Sequence, residues 1–309
     1  MTRPPTLALF GRKKRRGEKI VMVTAYDMTS ALIAAAGGVD ALLVGDSVGM
    51  VVLGYPDTLP VTVDQMVHHC AAVTRARPGV PVIADMPYGS FHVSPRETVR
   101  HAIRLVKEGG AMAVKVEGGR RRGEVIRALL DAEIPVMGHL GLTPQSVHKL
   151  GGFKVQGRGR GAADLMLDEA AFLEETGCFA LVLECIPATL AGRITRALTI
   201  PTIGIGAGPE TDGQVLVFHD LLGLYDGVRP RFVKRYAELG AAAVEAMRVF
   251  AAEVREGRFP GPEHSFADEP DRPAGKRRRV PGPAAPAGGR GPDAPGYLAS
   301  LENGRGGEE

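Results

Sequence analysis

The sequence predicts an α/β protein built as a (β/α)8 barrel, a TIM barrel, with additional C-terminal helices and a disordered tail. Three observations carry this prediction. From Ile20 onward, short apolar and β-branched runs alternate with longer segments of helical spacing; the runs number eight; and several are apolar at every position, as parallel strands covered on both faces must be. A doubly wound open sheet shares this periodicity and is the architectural competitor.

The strand candidates span residues 20–25, 41–44, 80–84, 111–116, 135–138, 179–183, 202–205 and 215–218, each closing at a polar or glycine-rich turn. Helix starts are marked by Thr62-Val63-Asp64-Gln65 and Ser94-Pro95-Arg96-Glu97. Both fit a capping box, in which the first hydroxyl and the fourth side chain satisfy free amides reciprocally, and helices over 63–76 and 95–108 follow. Gly109-Gly110 and Gly177 supply the stops. After Gly227 the spacing is helical, over 232–236 and 240–255, with Val244, Met247, Val249, Phe250 and Val254 as an apolar set expected to pack on the barrel or a neighbouring subunit. Residues 267–309 hold 9 Gly and 7 Pro in 43 positions. That exceeds the roughly 25–30% associated with low-complexity chain, so a barrel domain over 1–266 and a disordered tail are expected.

Composition narrows the function classes. The 309 residues carry 38 Lys and Arg against 35 Asp and Glu, a net charge of +3, which argues against a surface dominated by nucleic-acid phosphates. Two basic runs, residues 12–16 and 276–279, fall in segments expected to be exposed, and solvated termini are the simpler account. Cys70, Cys178 and Cys185 form neither a C-x-x-C pair nor a disulfide framework. No apolar run reaches the roughly 18 residues of a membrane span, so a cytoplasmic protein with no membrane or nucleic-acid partner is expected.

The chemistry collects at the carboxyl ends of the apolar runs, which a parallel barrel gathers on one rim. In order these ends are Tyr26-Asp27, Asp46-Ser47, Asp85, Lys115-Val116-Glu117, His139 and Glu184-Cys185. Asp46, Asp85 and Glu117 would be three converging carboxylates, unstable together unless a cation sits among them. An all-oxygen set without clustered His or Cys favours Mg2+ or another hard divalent ion. Lys115 and Glu117, two apart on one strand, share a face, and Lys115 can pair with a substrate carboxylate or a neighbouring acid. The apolar run before Glu184 is expected to desolvate it, as suits a general base near neutral pH. Tyr26 and His139 are candidates for supporting roles, whereas His68 and His69 read as helix-surface or core residues. The loop Gly204-Ile205-Gly206-Ala207-Gly208 lacks the wider dinucleotide fingerprint; its glycines are expected to let the loop approach a ligand.

Several long segments then resemble one family. They are Val23-Thr24-Ala25-Tyr26-Asp27, Leu43-Val44-Gly45-Asp46-Ser47-Val48-Gly49-Met50, Leu59-Pro60-Val61-Thr62, Gly138-His139-Leu140-Gly141-Leu142-Thr143-Pro144-Gln145-Ser146 and Ile203-Gly204-Ile205-Gly206-Ala207-Gly208, followed by Gly213-Gln214-Val215-Leu216-Val217, His219-Asp220-Leu221-Leu222-Gly223 and Phe259-Pro260-Gly261-Pro262-Glu263-His264. Over residues 5–266 the chain resembles the ketopantoate hydroxymethyltransferases, of the phosphoenolpyruvate mutase and isocitrate lyase superfamily. The resemblance implies a Mg2+-dependent barrel that moves a one-carbon unit from 5,10-methylenetetrahydrofolate to 3-methyl-2-oxobutanoate, giving 2-dehydropantoate for pantothenate synthesis through a Mg2+-stabilised enolate. It implies metal binding by Asp46, Asp85 and Glu117, oxo-acid binding by Asp46, Ser47, Asp85 and Lys115, and proton acceptance by Glu184. It also implies a homo-oligomer, a decamer of two rings of five. Residues 119–124 are more basic than the resemblance leads one to expect, and a role in binding a polyglutamyl folate is one expectation for them. The competing functions are a folate-independent, Mg2+-dependent 2-oxo acid lyase of the same superfamily and a non-catalytic barrel acting as a binding protein.

Overall fold

A computed structural model describes residues 5–227 and 230–266. The tail from 267 and its basic run at 276–279 lie outside the described residues. Eight strands, β1 (Ile20–Thr24), β2 (Ala41–Val44), β3 (Val82–Asp85), β4 (Ala113–Glu117), β5 (Val136–Gly141), β6 (Ala180–Glu184), β7 (Thr202–Ile205) and β8 (Gly213–Leu216), pair in sequence order, all parallel. β8 closes on β1 to complete the barrel. The open-sheet competitor is thereby excluded.

Strand parity divides the core in two, because alternate side chains on a barrel strand point to opposite faces. Ile20, Met22, Ala41, Leu43, Ile83, Ala113, Met137, Ala180, Val182, Ile203 and Val215 fill the barrel interior. Val44, Val82, Ala84, Val114, Val116, Val136, Leu181 and Leu183 pack outward against the helices. This double burial explains why the strands read as unbroken apolar runs.

Helices Val63–Arg75 and Pro95–Lys107 begin where their caps place them. Thr62 and Gln65 form the full reciprocal box, while Ser94 accepts from the Glu97 amide and Pro95 occupies the first turn without the return bond. Helix Arg160–Thr176 stops at Gly177, whose φ of 109° only glycine adopts readily.

Three expectations need correction. The last strand is Gly213–Leu216, and Phe218 instead begins a short helix, Phe218–Leu222. Residues 232–236 are turn and irregular chain, not helix. The basic run 12–16 is no solvated arm: it belongs to the helix Ala8–Arg16, whose Phe10 is buried in the barrel interior edge-on to Phe179. Lys13 pairs with Asp40 at 2.6 Å and Lys14 with Asp212 at 2.7 Å, the acids immediately before β2 and near the start of β8. Two charges of a run read as a solvated terminus thus fasten a plug to the barrel floor.

The chain divides into two compact units, Met1–Ala243 and Val244–Glu309. The first holds the barrel and all residues of the site. In the second, the helix ending at Arg255 is followed by a short segment where Phe259 stands edge-on to Phe250 and Arg258 pairs with Glu253. No helix among the described residues is long and apolar enough to cross a membrane.

Candidate active site

The same parity that fills the barrel interior brings the polar residues to its mouth. Two residues beyond Ile83 stands Asp85; beyond Ala113 stand Lys115 and then Glu117; beyond Met137 stands His139; beyond Val182 stands Glu184. Register sets their heights, pairing Asp85 with Lys115, Glu117 with His139, and Gly141 with Glu184. Asp46 lies two residues past the end of β2, and its backbone N–H donates to Asp85 Oδ2 at 3.1 Å.

Lys115 is the centre of this cluster. Its Nζ lies 3.1 Å from Asp85 Oδ1 and donates to His139 Nδ1 at 3.1 Å. Since Nδ1 accepts, the imidazole proton sits on Nε2, 3.2 Å from Glu184 Oε2. Glu117 Oε1 is 3.6 Å from His139 Nδ1, and Glu117 Oε2 accepts from the Gln145 backbone amide at 3.2 Å. Tyr26 Oη is 2.8 Å from Ser47 Oγ, so hydroxyls that follow β1 and β2 meet at the rim.

Electrostatics follow from burial. Asp46, Asp85, Lys115, Glu117 and His139 are each buried. Desolvation, then the neighbouring Asp85 and Glu117 charges, lift the Asp46 carboxyl well above the usual carboxylate range. Desolvation also lifts Asp85, with Lys115 opposing it. Burial works against charge on Lys115, but the three acids outweigh it and raise the ammonium above its ordinary value. Burial likewise penalises the Glu117 charge, yet the neighbouring His139 and the Lys115 charge, with the Gln145 amide, hold that carboxyl below the usual range. Burial pushes the Tyr26 hydroxyl up, so it stays protonated.

Several oxygens and nitrogens here are left wanting partners. Asp85 Oδ1, His139 Nε2 and Gln145 Oε1 are buried without a hydrogen bond. An all-oxygen set of acids with an excess of buried negative charge fits a hard divalent cation. Among the described residues, however, no three His, Cys, Asp and Glu side chains enclose a metal by themselves. Protein acids alone do not make a closed cage, so a cation here would need oxygens from a ligand or water.

Other candidates fall away from the site or change role. Asp27 caps the helix Met28–Ala36, its side chain accepting from the Ser30 amide. His69 anchors the Tyr26 carbonyl through Nδ1 at 2.8 Å, while His68 is exposed beside it. The glycines of 204–208 make room for neighbouring protein: a Cβ at Gly206 would strike Phe232, and one at Gly208 would overlap Ala188. Arg120 stacks on Phe172, whereas Arg122 stacks on Phe91, so the basic loop is split between two aromatic seats. Gln145 joins the site although it lies beyond any strand end and, in the sequence, is marked only as part of the 138–146 segment that carries the family resemblance.

A parallel barrel that gathers buried acids, a lysine and a histidine at its carboxyl rim has the arrangement of a barrel enzyme with a small-molecule site there. Residues 5–262 match the family model for ketopantoate hydroxymethyltransferase, and the chain belongs to that family. It is 58% identical to the 3-methyl-2-oxobutanoate hydroxymethyltransferase of Moorella thermoacetica, over 84% of this chain and 97% of that one. It is 53% identical to the enzyme of the same name from Heliobacterium modesticaldum, over 86% and 96%. Among solved structures it resembles 2,3-dimethylmalate lyase, a phosphoenolpyruvate mutase and isocitrate lyase superfamily member, with a TM-score of 0.54 and 16% identity over 86% of this chain and 89% of that one. Phosphonopyruvate hydrolase, solved with oxalate and Mg2+, aligns with a TM-score of 0.56 and 13% identity over 84% and 93%. Those two likenesses bear on the fold alone.

Proposed function

We propose that the protein transfers a hydroxymethyl unit from 5,10-methylenetetrahydrofolate to 3-methyl-2-oxobutanoate, forming 2-dehydropantoate for pantothenate synthesis. Family membership supports the reaction. The observation that carries the assignment of roles is the chain Lys115–His139–Glu184, with contacts of 3.1 and 3.2 Å. Lys115 offers a buried positive charge to the carboxylate of the oxo acid. His139 Nε2 lies 3.2 Å from one oxygen of Glu184, and the carboxylate takes the proton from C3. Ser47, held by Tyr26, lines the oxo-acid pocket beside Asp46. Asp46, Asp85 and Glu117 would hold a divalent cation, Mg2+ by donor chemistry, which when bound neutralises the acids and favours negative charge developing on the 2-oxo oxygen. The nucleophilic C3 so formed attacks the folate-borne methylene carbon; both C–N bonds of that carbon break, water supplies the hydroxyl oxygen, and the proton lost from C3 and one from the water end on the two folate nitrogens.

The same reading covers partners. Helix Leu239–Arg255 leaves Val244, Met247 and Phe250 about half or more exposed, which accords with a homo-oligomer. The free thiols of Cys70, Cys178 and Cys185 accord with a reducing, cytoplasmic setting.

The test is an NMR time course with 3-methyl-2-oxobutanoate in D2O, with and without methylenetetrahydrofolate, first with Mg2+ and then with chelator. Metal-dependent loss of the C3 proton together with folate-dependent product is the expected result. Exchange that never leads to product would make this a different oxo-acid enzyme, and absence of both signals would remove the catalytic reading.

A further inference from the structure

Gln145 lies in the turn Pro144–Ser146 after β5, and one residue from that loop binds the ends of three other strands. Its Nε2 donates to Asp46 Oδ2 at 2.8 Å, beyond β2, and to the Met86 carbonyl at 2.9 Å, beyond β3. Its backbone N–H donates to Glu117 Oε2 at 3.2 Å, at the end of β4. Both side-chain partners are oxygens, and a carbonyl can only accept, so the amide cannot be turned round without setting its oxygen against the Met86 oxygen. The orientation is therefore forced, and Oε1 is left buried with no donor. A buried acceptor is tolerated unpaired only at a cost, and that cost persists in a native site when a ligand relieves it.

We propose that Gln145 is a positioning residue for the divalent cation: it reserves Asp46 Oδ2 through its amide nitrogen, leaves Asp46 Oδ1 for the metal, and accepts on Oε1 a hydrogen bond from a water carried by that metal. The inference rests on the metal site proposed above. Partners that orient a metal's ligands commonly alter affinity 10–100-fold when removed. Gln145 differs from a packing residue in a way that can be measured: removing its amide leaves Asp46 Oδ2 and the Met86 carbonyl without a donor and so lowers metal-free stability, but it should weaken metal binding beyond what that loss explains.

The experiment is Mn2+ binding to the free protein, read by electron paramagnetic resonance, with thermal melting in the presence and absence of the metal, for wild type and Gln145→Met. The expected result is Mn2+ affinity weakened about 10–100-fold, with a metal-free melt that is lowered but still cooperative. Equal Mn2+ affinity in the two proteins would overturn the inference alone, as would an affinity loss accompanied by an equal collapse of the metal-free melt. A wild type that binds no Mn2+ would overturn the metal reading and this inference with it. Should Gln145→Met not fold, Gln145→Asn carries the same expectation, since it keeps an amide but is one methylene too short to span Asp46 and Met86.

Discussion

At the residue scale the site is a matter of which oxygen is free. His139 Nε2 stands 3.2 Å from one oxygen of Glu184, and exchanging the carboxylate for an amide keeps the shape but removes the proton acceptor. Glu184→Gln should lower kcat by about 10²–10⁴ while leaving KM for the oxo acid within a few-fold; wild-type turnover would dismiss Glu184 as the base. A second residue-scale prediction concerns Gly141, whose φ is 99° and where a Cβ would overlap the carbonyl oxygen of Glu184 on the adjacent strand. That neighbour is backbone and cannot swing aside, so Gly141→Ala should displace Glu184 itself. We expect kcat to fall at least about tenfold, since misplacement of a catalytic group by about 1 Å can cost 10²-fold, and a crystal structure of the variant should show the β6 terminus shifted.

At the scale of elements, two attachments hold the scaffold that fixes those positions. Phe10 closes the barrel floor against Phe179, and Phe10→Ala should cost about 3–5 kcal/mol, as large-to-small changes in a core do; the urea midpoint measures it. Near the end of helix Arg160–Thr176, Glu174 accepts from the Thr199 amide at 2.6 Å, the Thr199 hydroxyl at 2.7 Å and the Ile200 amide at 2.9 Å. Partial burial opposes its charge, but these bonds prevail and hold its carboxyl below the ordinary value. A depressed folded-state pKa stabilises above the unfolded value, about 4.3, and that contribution disappears as pH falls through the folded one. The stability gap between wild type and Glu174→Gln should therefore be full above about pH 5 and close below about pH 4, as paired denaturant titrations would show. Elements were also the level most legible in the sequence. Eight runs and their order were visible because barrel strands are buried on both faces, and Thr62 and Ser94 marked helix starts through local hydrogen bonds. The strand-end acids, Lys115 and Glu184 were legible because parity and rim position follow from the strand itself. Gln145 was not, because its importance depends on Asp46 and Met86, distant in sequence and brought near only by closure of the barrel. The Ala8–Arg16 plug was hidden for a like reason: its lysines resemble a solvated run until Asp40 and Asp212 are placed beneath them.

At the scale of the whole molecule, the fold stores uncompensated negative charge at one end of its core. Three buried acids face a single lysine, and burial, joined by repulsion from the neighbouring acids, lifts Asp46 and Asp85 above their ordinary range. A ligand that binds only the native state stabilises it by mass action, about 2.7 kcal/mol at a hundredfold excess over its Kd. For a chain of this size each kcal/mol moves the melting temperature by about 2–4 °C, so saturating Mg2+ should raise it by about 5–10 °C. Asp85→Asn should abolish most of that rise, because it removes a charge that the metal would neutralise. The same variant should melt near wild type, or somewhat above it, once both are stripped with chelator, since Lys115 would then face two acids instead of three. If Mg2+ raised the melting temperature of Asp85→Asn as much as that of wild type, the stabilisation would come from cations elsewhere on the surface, and the barrel mouth would not be the metal's seat.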